Sequence, residues 1–141
     1  MANEEELYKE LERSPGFLTI EIEADSRTAL FGRAVTALSR IMVEPNEIKV
    51  ANRREIEIVD DTDVEMMHDI LGAALNMFRA SFIWRDAEVE ERGGPIIVWL
   101  SGERYDRDRH RLLTEIKEVQ MHQLVVENKD GKWRSRIVFD I

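Results

Sequence analysis

The stretch Leu18-Thr19-Ile20-Glu21-Ile22-Glu23-Ala24 is followed at once by Asp25-Ser26 and then by a long apolar series. Apolar and polar side chains alternate over its seven residues, the period of two expected of a strand with one face on the core and one in water. Asp25 and Ser26 supply oxygens that can cap the first turn of a helix. The stretch therefore predicts a strand that passes directly into a helix.

Two helices are predicted from apolar side chains that recur at three- and four-residue steps. The first ends near Pro45, and its expected buried stripe is Leu30, Phe31, Ala34, Val35, Leu38, Ile41 and Met42. The second starts at a capping box made by Thr62 and Glu65, in which each side chain satisfies a backbone donor near the other. Its expected buried stripe is Val64, Met67, Leu71, Ala74, Leu75 and Phe78. Residues 54–59 alternate as a second strand between the helices.

A further short helix is predicted at the N-terminal end, over residues 4–12. Leu7, Tyr8 and Leu11 stand at helical spacing in this acidic segment, and Pro15-Gly16 ends it. A partly frayed tail is the alternative for the same residues.

From Ile83 onward the pattern is that of strands. Residues 84–91 and 96–101 flank Gly93-Gly94-Pro95, which predicts a hairpin turn. A charged loop over residues 103–113 leads into residues 115–127, whose alternation changes phase between Met121 and Leu124. A β-bulge is the expected cause. Asp130-Gly131 predicts a tight turn before a closing strand over residues 133–140.

The predicted order is β-α-β-α followed by four strands. This order is typical of an α+β domain in which two helices pack on one face of a largely antiparallel sheet. We expect one domain over residues 1–141, because 141 residues and 16.5 kDa are enough for one core and no linker interrupts the chain.

Composition narrows the function classes. The chain has no cysteine, which excludes thiol catalysis and thiolate zinc sites. No apolar run reaches the roughly 18 to 20 residues of a membrane span, and the acidic N-terminus is unlike a signal peptide, so a cytoplasmic location is expected. The net charge of −9 argues against strong direct nucleic-acid binding, which depends on lysine and arginine displacing counterions.

Few residues carry obvious chemistry. The chain lacks the glycine-rich, phosphate-loop, HExxH and GxSxG signatures of common enzyme classes. Its three histidines fall on different predicted elements. We expect His68 to form a solvated pair with Asp69, His110 to be exposed or to contact a partner, and His122 to be structural. The acidic cluster at residues 60–63 is expected to cap the second helix, because it lacks the spacing of a calcium loop.

Three blocks near the C-terminus resemble the signature of the archease family. They are Gly102-Glu103-Arg104-Tyr105-Asp106-Arg107-Asp108-Arg109-His110, Thr114-Glu115-Ile116-Lys117-Glu118-Val119 and Ile137-Val138-Phe139-Asp140-Ile141. The likeness extends from about Leu18 to the end, and includes Met67-His68-Asp69-Ile70-Leu71 and Trp84-Arg85-Asp86-Ala87-Glu88-Val89.

The resemblance implies an accessory protein that promotes guanylylation and turnover of an RtcB-type RNA-splicing ligase in tRNA splicing and makes no bond itself. It implies that Lys117 belongs to the functional surface, with His110 and Glu103 in the partner-binding loop. It also implies a divalent cation, calcium or magnesium, held by Asp140 and the carboxylate of Ile141, since these ions prefer charged oxygen ligands.

The chain departs from the family at the other end of that site. Archeases carry an Asp-His-Thr-Ala-Asp-like motif whose acids complete the cation site, and Arg13-Ser14-Pro15-Gly16-Phe17 stands in its place. One alternative is therefore a divergent paralogue that keeps the fold without the metal site and acts as a chaperone-like or regulatory binding module. Another is a small enzyme that uses Asp140 or Asp69 with a histidine for acid-base catalysis.

Overall fold

Residues 7–141 are described by the computed structural model, and they form eight strands and two α-helices. In chain order the elements are β1 (Lys9–Ser14), β2 (Phe17–Ala24), α1 (Arg27–Met42), a 3-10 turn (Pro45–Glu47), β3 (Asn52–Ile58), α2 (Asp63–Arg79), β4 (Phe82–Glu91), β5 (Ile96–Arg104), β6 (Glu118–Val119), β7 (Val125–Lys129) and β8 (Lys132–Asp140). Among these residues no helix has the length and apolar character needed to cross a membrane.

The strands divide between two antiparallel sheets. The larger has the order β1-β2-β8-β6, and β7 pairs with β8 beyond the end of β6. The smaller has the order β3-β5-β4. The predicted α+β class is confirmed, although the strands form two sheets where the sequence predicted one.

One apolar core joins the two sheets and both helices. Helix α1 contacts β2, β8 and β4, whereas α2 contacts β3, β4, β6 and β7. Trp84 lies in this core at 1% exposure, where its indole N–H donates to the Val35 carbonyl over 3.1 Å and the Ser39 hydroxyl donates to the Trp84 carbonyl over 2.5 Å. These bonds tie α1 to the start of β4 and satisfy polar groups that have no access to water.

The helices confirm the predicted stripes and caps. All seven residues of the α1 stripe are buried, and in α2 Met67, Leu71, Ala74 and Leu75 are buried while Val64 and Phe78 are partly buried. Ser26 Oγ accepts from the Ala29 N–H over 3.1 Å, and Thr62 Oγ1 accepts from the Glu65 N–H at the same distance. The Thr62 hydroxyl also donates to the Glu65 carboxylate over 3.1 Å, so Thr62 is confirmed as the N-cap, while the predicted return bond to a backbone donor is replaced by a bond between the two side chains.

The prediction of an N-terminal helix is wrong over the described part of residues 4–12, and residues 4–6 lie outside the described range. Lys9–Ser14 is the strand β1, which pairs antiparallel with β2 through the turn at Pro15-Gly16. Leu7 and Tyr8 pack against the core. The edge of β2 offers backbone donors and acceptors to this segment. Pairing with them is more stable than a short isolated helix, whose only support is three apolar residues at helical spacing.

The predicted bulge between Met121 and Leu124 is also wrong. The segment is two short strands, β6 and β7, separated by a turn in which the Leu124 N–H donates to the Met121 carbonyl over 3.2 Å. Both strands pair with β8. The alternation of apolar and polar residues changes phase because a new strand, β7, begins after the turn. A bulge would have left residues 115–127 as one continuous strand.

Both predicted hairpin turns are confirmed. Strands β4 and β5 are joined at Gly93-Gly94, and β7 and β8 at Asp130-Gly131. Asp130 and Gly131 have φ of 56° and 80°, the left-handed pair that a two-residue turn of this kind requires.

Candidate functional site

Strands β6 and β8 bring the two residues that the resemblance singled out next to each other. The Lys117 N–H donates to the Asp140 carbonyl over 2.7 Å, and Glu118 lies opposite Asp140 in the register. The Arg79 guanidinium, from the end of α2, donates to the Lys117 carbonyl. The backbone of Lys117 is thus held on both sides, while its side chain is exposed to solvent.

A groove of about 770 Å³ runs between α2 and the β6 segment and includes Asp140 in its wall. Its polar lining residues are His68, Asp69, Asn76, Arg79, Glu118, Gln120, His122 and Asp140. Cationic, anionic and neutral groups all face this space. The groove can therefore take a polar chain segment of a partner, and Lys117 directly precedes the residues 118–122 that form one wall.

His68 and Asp69 form the expected pair on α2. His68 Nδ1 lies 3.0 Å from Asp69 Oδ1, and the two side chains are 31% and 46% exposed. Partial burial and the neighbouring carboxylate of Asp69 raise the pKa of Asp60, which precedes the helix. An acid-base enzyme would need a substrate held against such a pair, and both residues line the groove.

Asp140 has a neutral partner. Its Oδ1 accepts from the Gln120 side-chain amide over 2.6 Å, and the residue opposite it on β2 is Phe17. Arg13 does not neutralise Asp140; its guanidinium pairs with Glu10 over 3.1 Å and contacts Thr114. The Ile141 N–H donates to the Gly16 carbonyl over 3.0 Å.

The side chains around Asp140 do not match the cation site that the family resemblance implied. Residues 7–141 contain no group of three or more histidine, aspartate or glutamate side chains able to hold a metal ion. Calcium and magnesium require several oxygen ligands, and an aromatic ring stands where the second carboxylate would face Asp140. The predicted ligands Asp140 and Ile141 are near the β1–β2 turn, as the resemblance implied, but that turn supplies no acid.

Glu103 and His110 are also brought together, in a buried network at the end of β5. His110 Nε2 lies 2.9 Å from Glu103 Oε2, and the Arg109 guanidinium donates to Glu103 Oε1 over 2.7 Å. The Lys49 N–H also donates to Glu103 Oε2, over 2.8 Å. The Arg109 hydrogen bond, with those from Lys49 and His110, lowers the pKa of the Glu103 carboxyl from 4.5 to about 2.

The expectation that His110 is exposed is wrong, since its exposure is 4%. The Asp106 N–H donates to His110 Nδ1 over 2.8 Å, so the ring proton lies on Nε2 and points at Glu103. The pair anchors the charged loop to the chain before β3. Its role as a partner contact stays a prediction, and contact through this loop falls to exposed neighbours such as Arg107 and Asp108.

Sequence reasoning missed several residues of the groove. Gln120 and Arg79 contact Asp140 and Lys117, yet neither residue type nor spacing distinguishes them from ordinary surface residues. His122 was expected to lie in a strand and is exposed in the turn after β6, where it lines the groove. The strand register could have revealed them, and it depends on pairing between distant segments.

Comparison with known proteins identifies the class to which this fold and groove belong. Residues 10–141 match the model of the Archease protein family (MTH1598/TM1083). The chain therefore belongs to the archease family.

Curated relatives agree with this assignment. The chain is 32% identical over 125 residues to the protein archease of Methanopyrus kandleri, covering 84% of this chain and 88% of the relative. It is 26% identical over 123 residues to that of Pyrococcus abyssi, covering 83% and 87%.

Two solved structures share the fold. The solution structure of Methanobacterium thermoautotrophicum protein 1598 matches with a TM-score of 0.79 at 17% identity, covering 96% of this chain and 99% of that one. The crystal structure of a Thermotoga maritima protein, described as an archease and possible chaperone, matches with a TM-score of 0.69 at 18% identity, covering 93% and 95%.

Proposed function

We propose that this protein is an accessory factor of an RtcB-type RNA-splicing ligase, and that it promotes guanylylation and turnover of the ligase in tRNA splicing without forming bonds itself. Membership of the archease family supports the proposal. The observation that carries it is the position of Lys117, whose backbone N–H donates to the Asp140 carbonyl and whose side chain is exposed.

The surroundings of Lys117 suit a protein contact. Its backbone is clamped between the Asp140 carbonyl and the Arg79 guanidinium, so the base of the side chain is fixed. A lysine with a fixed backbone can bind a carboxylate or phosphate on a partner with less loss of conformational freedom than one on a mobile loop. The net charge of −9 favours a protein partner over direct RNA binding.

The test is a ligase turnover assay with and without this protein. We expect the wild-type protein to raise the number of ligation cycles and Lys117→Ala to weaken the stimulation about tenfold, as for an interfacial charge. Lys129→Ala is the matched control, since Lys129 is exposed on β7 and lies away from the groove. Absence of stimulation by the wild-type protein would refute the proposal.

A calcium or magnesium ion at Asp140 and Ile141 stays a prediction, and no step of the proposal depends on it. Calorimetric titration with each ion tests it. We expect weak binding by the wild-type protein and tighter binding by Phe17→Asp, which places a second carboxylate opposite Asp140. Phe17→Asn is the neutral control. Equally tight binding by all three proteins would show that position 17 is not part of the ligand set.

A divergent paralogue with a chaperone-like or regulatory role is the second candidate. Arg13 and Phe17 stand where the family has acids, and Arg13 pairs with Glu10 of the same strand. This candidate predicts no effect on the ligase and suppression of aggregation of a denatured client protein. Co-purification with a ligase would count against it. Both candidates place the protein in the cytoplasm, in line with a chain without cysteine.

A further inference from the structure

The smaller sheet has one face on the core and the other in solvent. Along β5, Ile96, Val98 and Leu100 belong to the core, so the alternate residues Ile97 and Trp99 lie on the opposite face. Ile97 is buried outside the core cluster, and Trp99 is partly exposed. No helix of residues 7–141 covers this face, because α1 and α2 pack on the other one.

Glutamates flank both apolar residues on this face. In the register Ile97 lies between Glu57 of β3 and Glu90 of β4, and Trp99 lies between Glu55 and Glu88. The six residues Ile97, Trp99, Glu55, Glu57, Glu88 and Glu90 define what we call the acidic platform.

The charges of the acidic platform are incompletely paired. Arg92 pairs with Glu90 over 3.1 Å and Arg53 with Glu88 over 3.3 Å. Glu55 and Glu57 form no ion pair within 4.0 Å among residues 7–141, and the Arg92 guanidinium acts on both only through longer-range electrostatic attraction. The hydrogen bond from Arg92, and then that from the Trp99 indole, lower the pKa of Glu90, so this carboxylate is charged at neutral pH. Phosphate backbones are repelled by such a surface, and cations are attracted to it.

The protein already shows how a guanidinium binds here. The Arg53 guanidinium carbon lies 4.2 Å from the centroid of the Trp99 ring while the same group donates to Glu88. This combines a cation–π contact with a charge-assisted hydrogen bond, the two interactions that an arginine of a partner would make. Glu55, on the far side of Trp99 from Glu88, offers a second carboxylate of the same kind.

We propose that the acidic platform is a docking site for a basic, arginine-containing segment of a partner protein. A guanidinium of the segment binds Glu55 and Glu57 and lies against the partly exposed Trp99 ring. The site is separate from Lys117 and Asp140, which belong to the larger sheet. The inference therefore goes beyond ligase activation and does not depend on it.

The test measures binding of a short fluorescein-labelled peptide in which arginine alternates with leucine, by fluorescence anisotropy on the full chain. The same peptide with citrulline in place of arginine is the neutral probe. We expect the double variant Glu55→Gln/Glu57→Gln to bind the arginine peptide about tenfold more weakly. The matched control Glu12→Gln/Glu23→Gln, which removes equal charge from exposed positions of β1 and β2, should change affinity less than about twofold.

The variant Arg53→Gln is expected to strengthen peptide binding, the opposite of the effect of Glu55→Gln/Glu57→Gln. Arg53→Gln removes the guanidinium that already occupies Trp99 and Glu88, so it should tighten peptide binding about threefold. Lys9→Gln removes an equal charge from β1 and should leave the affinity unchanged. A variant that merely unfolds the sheet cannot strengthen binding.

The outcomes separate the alternatives. Amide shifts on peptide addition that centre on Trp99 and its flanking glutamates support the proposal. Equal weakening by both double variants, or equal binding of the citrulline peptide, would overturn it by showing a general charge effect or a non-ionic one. Concentration-dependent self-association that Glu55→Gln/Glu57→Gln abolishes would also overturn it, because the occupant would then be a second copy of this chain.

Discussion

Glu103 shows how a residue that the sequence marked for partner binding can serve the fold. Its carboxylate accepts from Arg109, His110 and the Lys49 backbone at 8% exposure. A buried carboxylate is stable when several donors satisfy it, and the loss of its charge leaves those donors unpaired. The network therefore couples the loop after β5 to the segment before β3.

Replacement of Glu103 by glutamine should lower stability and remove part of its pH dependence. The folded-state pKa of about 2 lies below the usual 4.5, so the charge stabilises the fold above pH 4.5 and this stabilisation is lost as pH falls towards 2. We expect Glu103→Gln to lower the free energy of unfolding by about 2 kcal/mol at pH 7 and by much less near pH 2. Urea unfolding at both pH values measures the difference.

Glu115→Gln is the control, because Glu115 is exposed. It should be nearly neutral at both pH values. A wild-type protein whose stability does not fall between pH 4.5 and 2, or an equal loss from Glu103→Gln at both ends of that range, would contradict the role assigned to this carboxylate.

The pairing of β4 with β5 depends on Gly102 for a steric reason. A Cβ on Gly102 would lie 1.9 Å from the Ile83 carbonyl oxygen and 2.5 Å from Trp84 Cα, both of them backbone atoms. The register of β4 shifts between Trp84 and Asp86, directly beside this contact. The close approach of the two strands at the irregularity leaves room for glycine alone.

Gly102→Ala should therefore destabilise the protein by about 3 kcal/mol or more, since backbone atoms of a central strand pair must move. Gly72→Ala is the matched control, because its Cβ would meet nothing within 4 Å in the helix α2. The control should stabilise the protein by about 0.5 to 1 kcal/mol through helix propensity. Thermal unfolding of both variants measures these effects, and similar midpoints for the two would show that the strands adjust freely.

The two sheets share one core, so they should unfold together. Trp84 lies in the smaller sheet and in that core, and Trp133 of β8 packs against the same core from the larger sheet. Neither sheet has an apolar cluster of its own that could keep it folded after the other opens.

We expect a single cooperative transition in urea, with coincident curves from tryptophan fluorescence and far-ultraviolet circular dichroism. Trp133→Phe leaves tryptophan only in the smaller sheet, so the fluorescence of this variant reports on that sheet alone, while its circular dichroism reports on both sheets. A fluorescence midpoint of Trp133→Phe that differs from its circular dichroism midpoint would contradict a single folding unit over residues 1–141, which stays a prediction.

Repeating patterns within one segment predicted much of the fold. The stripes of α1 and α2, their caps at Ser26 and Thr62, and the turn at Asp130-Gly131 depend on neighbours within a few positions, and all are confirmed. The errors are β1 and the divided β6–β7 segment, where pairing with β2 and β8 decided the structure. Short apolar spacings fit a helix and a strand almost equally well, so a distant partner strand settles the choice.

Part of the candidate site was predicted, from the family resemblance and not from repeating patterns. Lys117 and Asp140 were identified from the family resemblance, and the structure brings their backbones together. The burial of His110, and the amide of Gln120 on Asp140, were not foreseen. Both depend on which side chains come into contact across the fold, and the residue type at one position does not indicate those contacts.

Local pattern and motif were sufficient for the α+β class, the two helices and membership of the family, because periodicity, capping and short motifs are properties of consecutive residues. Tertiary structure decided the division into two sheets, the aromatic neighbour of Asp140, the buried charges around Glu103 and the acidic platform around Trp99. Each of these is a contact between segments far apart along the chain. Such a contact can form and stabilise the fold only after strand pairing has placed the segments side by side.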